Sequence, residues 1–151
     1  MQNIPSCPAY EQDHYGWSLA TAELLRQGKY HEVDMTHVIE EIEEMGRSES
    51  HELISRLAIL IAHLLKWQFN PQRTESNERS WGGTIKEQRI SIHDLMKSSP
   101  SLKSKLSDAR LSAYKRSLAQ IQKETPIDLK LLPESCPYTF DQCMDEDFFP
   151  E

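Results

Sequence analysis

Four carboxylates crowd one short stretch of the sequence, Glu40, Glu41, Glu43 and Glu44, with His37 just upstream. On a helix Glu40 and Glu44 share a face, as do His37 and Glu41. Helical carboxylates of this kind can hold metal in a bundle, usually with two Glu-x-x-His pairs. The chain supplies one such pair, Glu11 and His14. A bundle metal site needs more ligands than that, so no metal and no other cofactor is expected. Glu11, His14, Glu40, Glu41 and Glu44 are the residues that would carry one. The plainer reading is a solvated acidic face near a helix start, where the dipole favours negative charge.

A second candidate is His63, set in the apolar run Leu60-Ile61-Ala62-His63-Leu64-Leu65. Among such neighbours its ring needs a hydrogen-bond partner. Glu41 is too far away along one continuous helix, because 22 residues at ~1.5 Å each separate them by ~33 Å. Partners must come from neighbouring helices, which short connections make antiparallel. Counting back from the loop at 70–79 sets His63 level with residues 86–89; counting from the turn near Ser99 adds Tyr114. His63, Arg89 and Tyr114 are therefore expected at one level of the bundle. Such a trio could bind phosphate and assist its chemistry, or form a buried polar network that fixes helix register. Asp13 and Trp17 form a third candidate, expected near residues 45–49 of the second helix. There Asp13 also reads as a cap and Trp17 as core. Nucleophile elbows, phosphate-binding glycine loops and paired-cysteine motifs do not occur in the sequence.

The elements that must position these residues are helices. Asp13 can cap a first helix carrying Trp17, Leu24 and Leu25, with Gly28 ending it. Asp34 can cap a second, in which Met35, Val38, Ile42 and Met45 recur at helical spacing and Leu53, Leu57, Leu60 and Leu64 continue the stripe. Gly46 interrupts it and Ser48 could cap a fresh start, which leaves one long helix or two; one helix, straight or kinked, ending before Pro71 is expected. A polar loop is expected over 70–79, then a third helix from Ser80 through Ile85 and Ile92. Ser99-Pro100 reads as the entrance of a fourth. Thr125-Pro126 repeats that signal for a short turn ending near Pro133. Thr139 and Gln142 have capping-box spacing for a last short helix.

Composition agrees with an all-α bundle of about four main helices plus short C-terminal ones. The 151 residues fit a single helical domain, 1–151, with 1–12 as an extended arm and 124–151 as a docked acidic tail. Hydrophobic residues make up 38% and charged residues 27%, as in globular chains. Three sparse cysteines give neither a disulfide framework nor a zinc pattern. The opening residues are polar, and the longest apolar run, Leu57–Ala62, falls far short of the ~20 residues of a membrane span. A soluble cytoplasmic protein is expected, with no membrane partner. Charge is segregated: residues 1–60 sum to −7, residues 61–123 to +7 and residues 124–151 to −7. The overall balance of −7 disfavours general nucleic-acid binding, which rests on phosphate neutralisation, though a specific RNA is compatible with the basic middle.

Several motifs occur together in order. Tyr10-Glu11-x-Asp13 with Trp17 is followed by Glu23-Leu24-Leu25-Arg26, then Glu40-Glu41-Ile42-Glu43 with Met45-Gly46-Arg47. His63-Leu64-Leu65-Lys66-Trp67, Ser80-Trp81, Pro100-Ser101-Leu102 and Pro137-Tyr138 complete the set. In these the chain resembles the family labelled domain of unknown function twenty-nine, common in cyanobacteria and other bacteria. The resemblance implies a helical bundle and carries over no activity. Two functions follow as expectations. The first is a non-enzymatic interaction or regulatory module with a protein partner. The second is a small nuclease or phosphate-handling hydrolase built on His63, Arg89 and Tyr114. Whether the chain is an enzyme is left open by its residues.

Overall fold

The computed structural model describes residues 7–151, so the first half of the expected N-terminal arm, residues 1–6, lies outside the described residues. Among the described residues there are helices and turns and no strand. The fold is all-α, with four substantial helices and a short fifth. The chain divides into two compact units, one ending at Gly46 and one running from Arg47 to Glu151.

The first unit is a helical hairpin. Helix α1 (His14–Arg26) starts where Asp13 accepts from the Gly16 backbone N–H at 2.9 Å. It ends at Gly28, whose φ of 70° lets the Gly28 and Lys29 N–H groups return to the carbonyls of Leu25 and Leu24. A 3₁₀ turn, Tyr30–Glu32, leads to Asp34, which accepts from the His37 N–H at 3.3 Å and so caps α2 (Met35–Phe69). Helix α2 has no break at Gly46, as the apolar spacing implied. Of the described residues up to 46, only Trp17 and Thr21 are buried.

The second unit holds the core. Leu53, Leu57, Leu60, Ile61, Leu64 and Leu65 of α2 are fully buried with Ile85 and Ile92 of α3 (Glu75–Ser98) and Ala113 and Ile121 of α4 (Leu106–Glu124). Helix α3 begins earlier than the expected Ser80. Thr74 accepts from Asn77 N–H, and Glu75 and Glu78 sit in the first turn, where the dipole favours them. The polar residues 75–79 are thus the exposed opening turns of a helix and not loop; Arg73 secures them by pairing with Glu78 at 2.9 Å. The Ser99-Pro100 entrance opens a 3₁₀ turn, Pro100–Lys105, before α4. Ser99 makes no cap there, because its hydroxyl donates to Glu49 at 3.0 Å.

The acidic tail is docked on this unit, but by an unexpected chemistry. Arg89 Nε donates to Cys143 O at 2.7 Å, and its terminal nitrogens donate to Phe148 O at 2.8 Å and Glu146 O at 3.4 Å. Arg110 donates to Tyr138 O at 2.6 Å. These two arginines thus take the tail's backbone carbonyls, while the carboxylate of Glu124, where the segment begins, takes Lys66. Leu132 and Tyr138 anchor the segment as buried residues, Phe140 is partly buried, and the Tyr138 hydroxyl donates to Gln68 at 2.7 Å. Leu131, in the short 3₁₀ turn Leu129–Leu131, is 69% exposed and does not anchor the segment. The capping box at Thr139 and Gln142 starts α5 (Phe140–Met144), as its spacing implied.

Candidate functional site

The first unit gathers most of the chemistry-bearing residues near the chain's start. Tyr10 stacks on His37 with ring centroids 4.1 Å apart and meets Trp17 edge-on at 4.9 Å. Its hydroxyl donates to Glu41, which also lies 3.5 Å from His14 Nε2. His37 has a carboxylate at each ring nitrogen: Asp34 on Nδ1, and Glu11 3.4 Å from Nε2. The Glu11-x-x-His14 pair is therefore split, each member turning to a different residue of α2. Among the described residues no group of three or more His, Cys, Asp or Glu is arranged to hold a metal ion.

These contacts define what the cluster can do. The hydrogen bond with Asp34 raises the pKa of His37 and lowers that of Asp34. A histidine held between two carboxylates has its charged form favoured, and both ring nitrogens are already engaged. The Glu41 carboxylate pushes the Tyr10 phenol up to about 12, which makes it a hydrogen-bond donor and not a nucleophile. The cluster is a clamp that fastens the residues before α1, and α1 itself, onto one side of α2.

His63, Arg89 and Tyr114 each have a partner of their own. His63 Nδ1 bonds the carbonyl of Ile59 on its own helix at 2.8 Å, and burial lowers its pKa. Arg89 holds the tail. The Tyr114 hydroxyl donates to Pro133 O, and burial raises its pKa. Among the described residues no direct hydrogen bond or ion pair joins the three. Counting along helix axes fixes height but not facing, and the buried donors found carbonyls in the tail and in the helix itself. Trp17 also differs from expectation: it lies by His37, Val38 and Glu41, about two turns before the expected residues 45–49.

Clamping one side of α2 leaves another side open. Met35 is 42% exposed, Ile39 51%, Ile42 62% and Met45 69%. With Tyr15, Leu19 and Tyr30 of the same unit, they are seven of the ten large hydrophobics that stand exposed among the described residues. A cleft of about 720 Å³ lies on the same unit, lined by Leu19, Ala20, Glu23, Leu24 and the polar Gln27 and Lys29 among others. Residues up to 46 include nine Asp/Glu against two Lys/Arg. The sequence did show the stripe, but periodicity reports that a face is apolar and not whether anything covers it. Tyr10, which organises the clamp, gave no signal in its spacing.

No curated protein and no solved structure matches the chain. A family model described as "Domain of unknown function DUF29" matches residues 9–149. That span takes in both units and every helix named above, so the chain belongs to the family of the domain of unknown function DUF29.

Proposed function

We propose that this protein is a non-enzymatic interaction module, of a regulatory kind, whose working surface is the apolar face of the first unit. The observation that carries the reading is the concentration of exposed large hydrophobics on a unit that, among the described residues, buries only Trp17 and Thr21. Contiguous exposed apolar surface rimmed by charge is costly in water and marks interaction sites. The hydrolase reading has less behind it, because Arg89 and Tyr114 are spent on backbone carbonyls and His63 on its own helix.

A comparative pull-down from the native lysate tests this. Ile42→Asp places a charge in the stripe, whereas Ile90→Asp places one at an equally exposed position of the second unit. Loss of the captured protein with the first substitution and its retention with the second is the expected result. Capture unaffected by Ile42→Asp would remove the proposed surface. RNA recovered with the wild-type chain and cut by it would turn the assignment to the nuclease reading.

A further inference from the structure

The exposed stripe has a feature that its own unit does not explain. Met35, Ile39, Ile42 and Gly46 succeed one another at intervals of three and four, so they form one row along α2. Glycine is poorly suited to the interior of a helix. A Cβ built at Gly46 would meet nothing within 4 Å, so packing among the described residues does not call for glycine there. A glycine in an apolar row does allow the backbone of a second element to come close. The apolar spacing of the sequence also continues through Leu53, Leu57, Leu60 and Leu64, which are fully buried against other helices. The exposed stretch has the pattern of a bundle face without its covering helix.

Charge selects among the possible covers. The unit carries a net −7, with acidic residues interspersed along the same stretch of α2. A second copy would bring the same apolar row with the same negative charge. In the basic middle of a copy, Ile90 and Leu111 are the exposed large hydrophobics among the described residues, and they lie on different helices. An anionic lipid surface would be repelled. Resting on the interaction-module reading above, we infer that the row Met35–Gly46 receives an amphipathic helix of another protein, one whose apolar stripe is flanked by Lys and Arg and whose backbone approaches most closely at Gly46. Helix-in-groove recognition uses this same spacing of anchors, and opposite charge steers the encounter.

The test uses the full chain and a fluorescent synthetic helix with a leucine stripe flanked by lysines. A matched peptide carrying glutamate in place of lysine serves as comparison. The lysine peptide should bind and the glutamate peptide should not, with affinity falling as salt rises. Ile42→Asp should weaken binding about tenfold or more, a loss of about 1.4 kcal/mol. Gly46→Leu is the decisive variant. It favours helix and adds apolar surface, so a flat greasy contact would bind more tightly, whereas a close helix crossing would bind about tenfold more weakly. Circular dichroism and melting curves check that both variants stay folded; Met45→Glu replaces Ile42→Asp if that variant does not. Equal binding of the two peptides, tighter binding by Gly46→Leu, self-association abolished by Ile42→Asp, or binding to phosphatidylcholine vesicles would each overturn the inference. If lysate capture depends on Ile42 while the lysine peptide fails to bind, the interaction module stands and only its basic helical partner falls. If capture is indifferent to Ile42, the module reading itself falls.

Discussion

His37 and His63 show how one residue type takes opposite roles from its surroundings. Both titrate near 6.5 in the unfolded chain. Asp34 favours the charged form of His37, so the stability this contact supplies is full below pH 6.5 and is lost as pH rises through the higher folded value. Burial disfavours the charged form of His63. Its site is undisturbed above pH 6.5, and stability is lost as pH falls from there toward the lower folded value. A proton NMR titration should therefore place the His37 midpoint above 6.5 and that of His63 below; the reverse order would refute both environments. Arg89 is a second residue-scale case. It is 3% exposed and donates to three tail carbonyls. Arg89→Met should cost about 3 kcal/mol, because a charged donor is lost and buried acceptors are left bare. Urea unfolding measures the loss, and limited proteolysis should then cut rapidly after Thr125. An unchanged midpoint and an intact tail would show that apolar packing alone docks the segment.

At the scale of elements, glycines have different reasons for being there. Gly28 ends α1 with φ 70°, a conformation that costs an L side chain about 1 kcal/mol or more, so Gly28→Ala should destabilise by that amount. Gly83 lies inside α3 with open space around it, so Gly83→Ala should stabilise by about 0.5–1 kcal/mol. Thermal melts of the two variants should move in opposite directions. Helix ends are also joined by the ion pair of Lys66 and Glu124 at 2.7 Å, with Lys66 almost wholly buried and Glu124 about half exposed. Replacing the lysine by an apolar chain of similar length should be nearly neutral, whereas removing only the carboxylate strands a buried ammonium. Lys66→Met is expected within about 1 kcal/mol of wild type, and Glu124→Ala to lose about 2 kcal/mol, discounted for the exposure of its carboxylate. Equal losses would indicate that packing of the lysine stem, and not its charge, matters at this position.

For the whole molecule, burial is uneven. Nearly every fully covered apolar side chain belongs to the second unit, while the first depends on Trp17, Thr21 and the clamp around His37. Local stability follows buried apolar contact, so backbone amides of α1 should exchange with solvent much faster than those of α4. Hydrogen exchange read residue by residue checks this. Equal protection of the two helices would mean that the first unit has a stabilising cover in solution even without an added partner. The C-terminal segment belongs with the protected set, since Tyr138 and Cys143 are buried and burial pushes the Cys143 thiol up to about 12. A thiol reagent at neutral pH should label Cys7, which is exposed, well before Cys143.

The sequence by itself determined most of the helices, though it set the start of α3 at Ser80 and that of α4 at Ser99-Pro100. Periodicity and capping residues depend on neighbours a few positions away, so Asp13, Asp34, the Thr139–Gln142 box and the unbroken run of α2 were all legible. Tertiary structure alone decided which polar groups meet. Helical counting placed His63, Arg89 and Tyr114 at one height, but the direction in which each side chain leaves its helix depends on packing around the axis. Their partners proved to be backbone carbonyls, which every residue carries and which therefore leave no mark in a sequence. The same reason hid the fate of the stripe. Met35 to Met45 and Leu53 to Leu64 have the same spacing and the same apolar character, and only the arrangement of distant helices leaves the first exposed and the second buried.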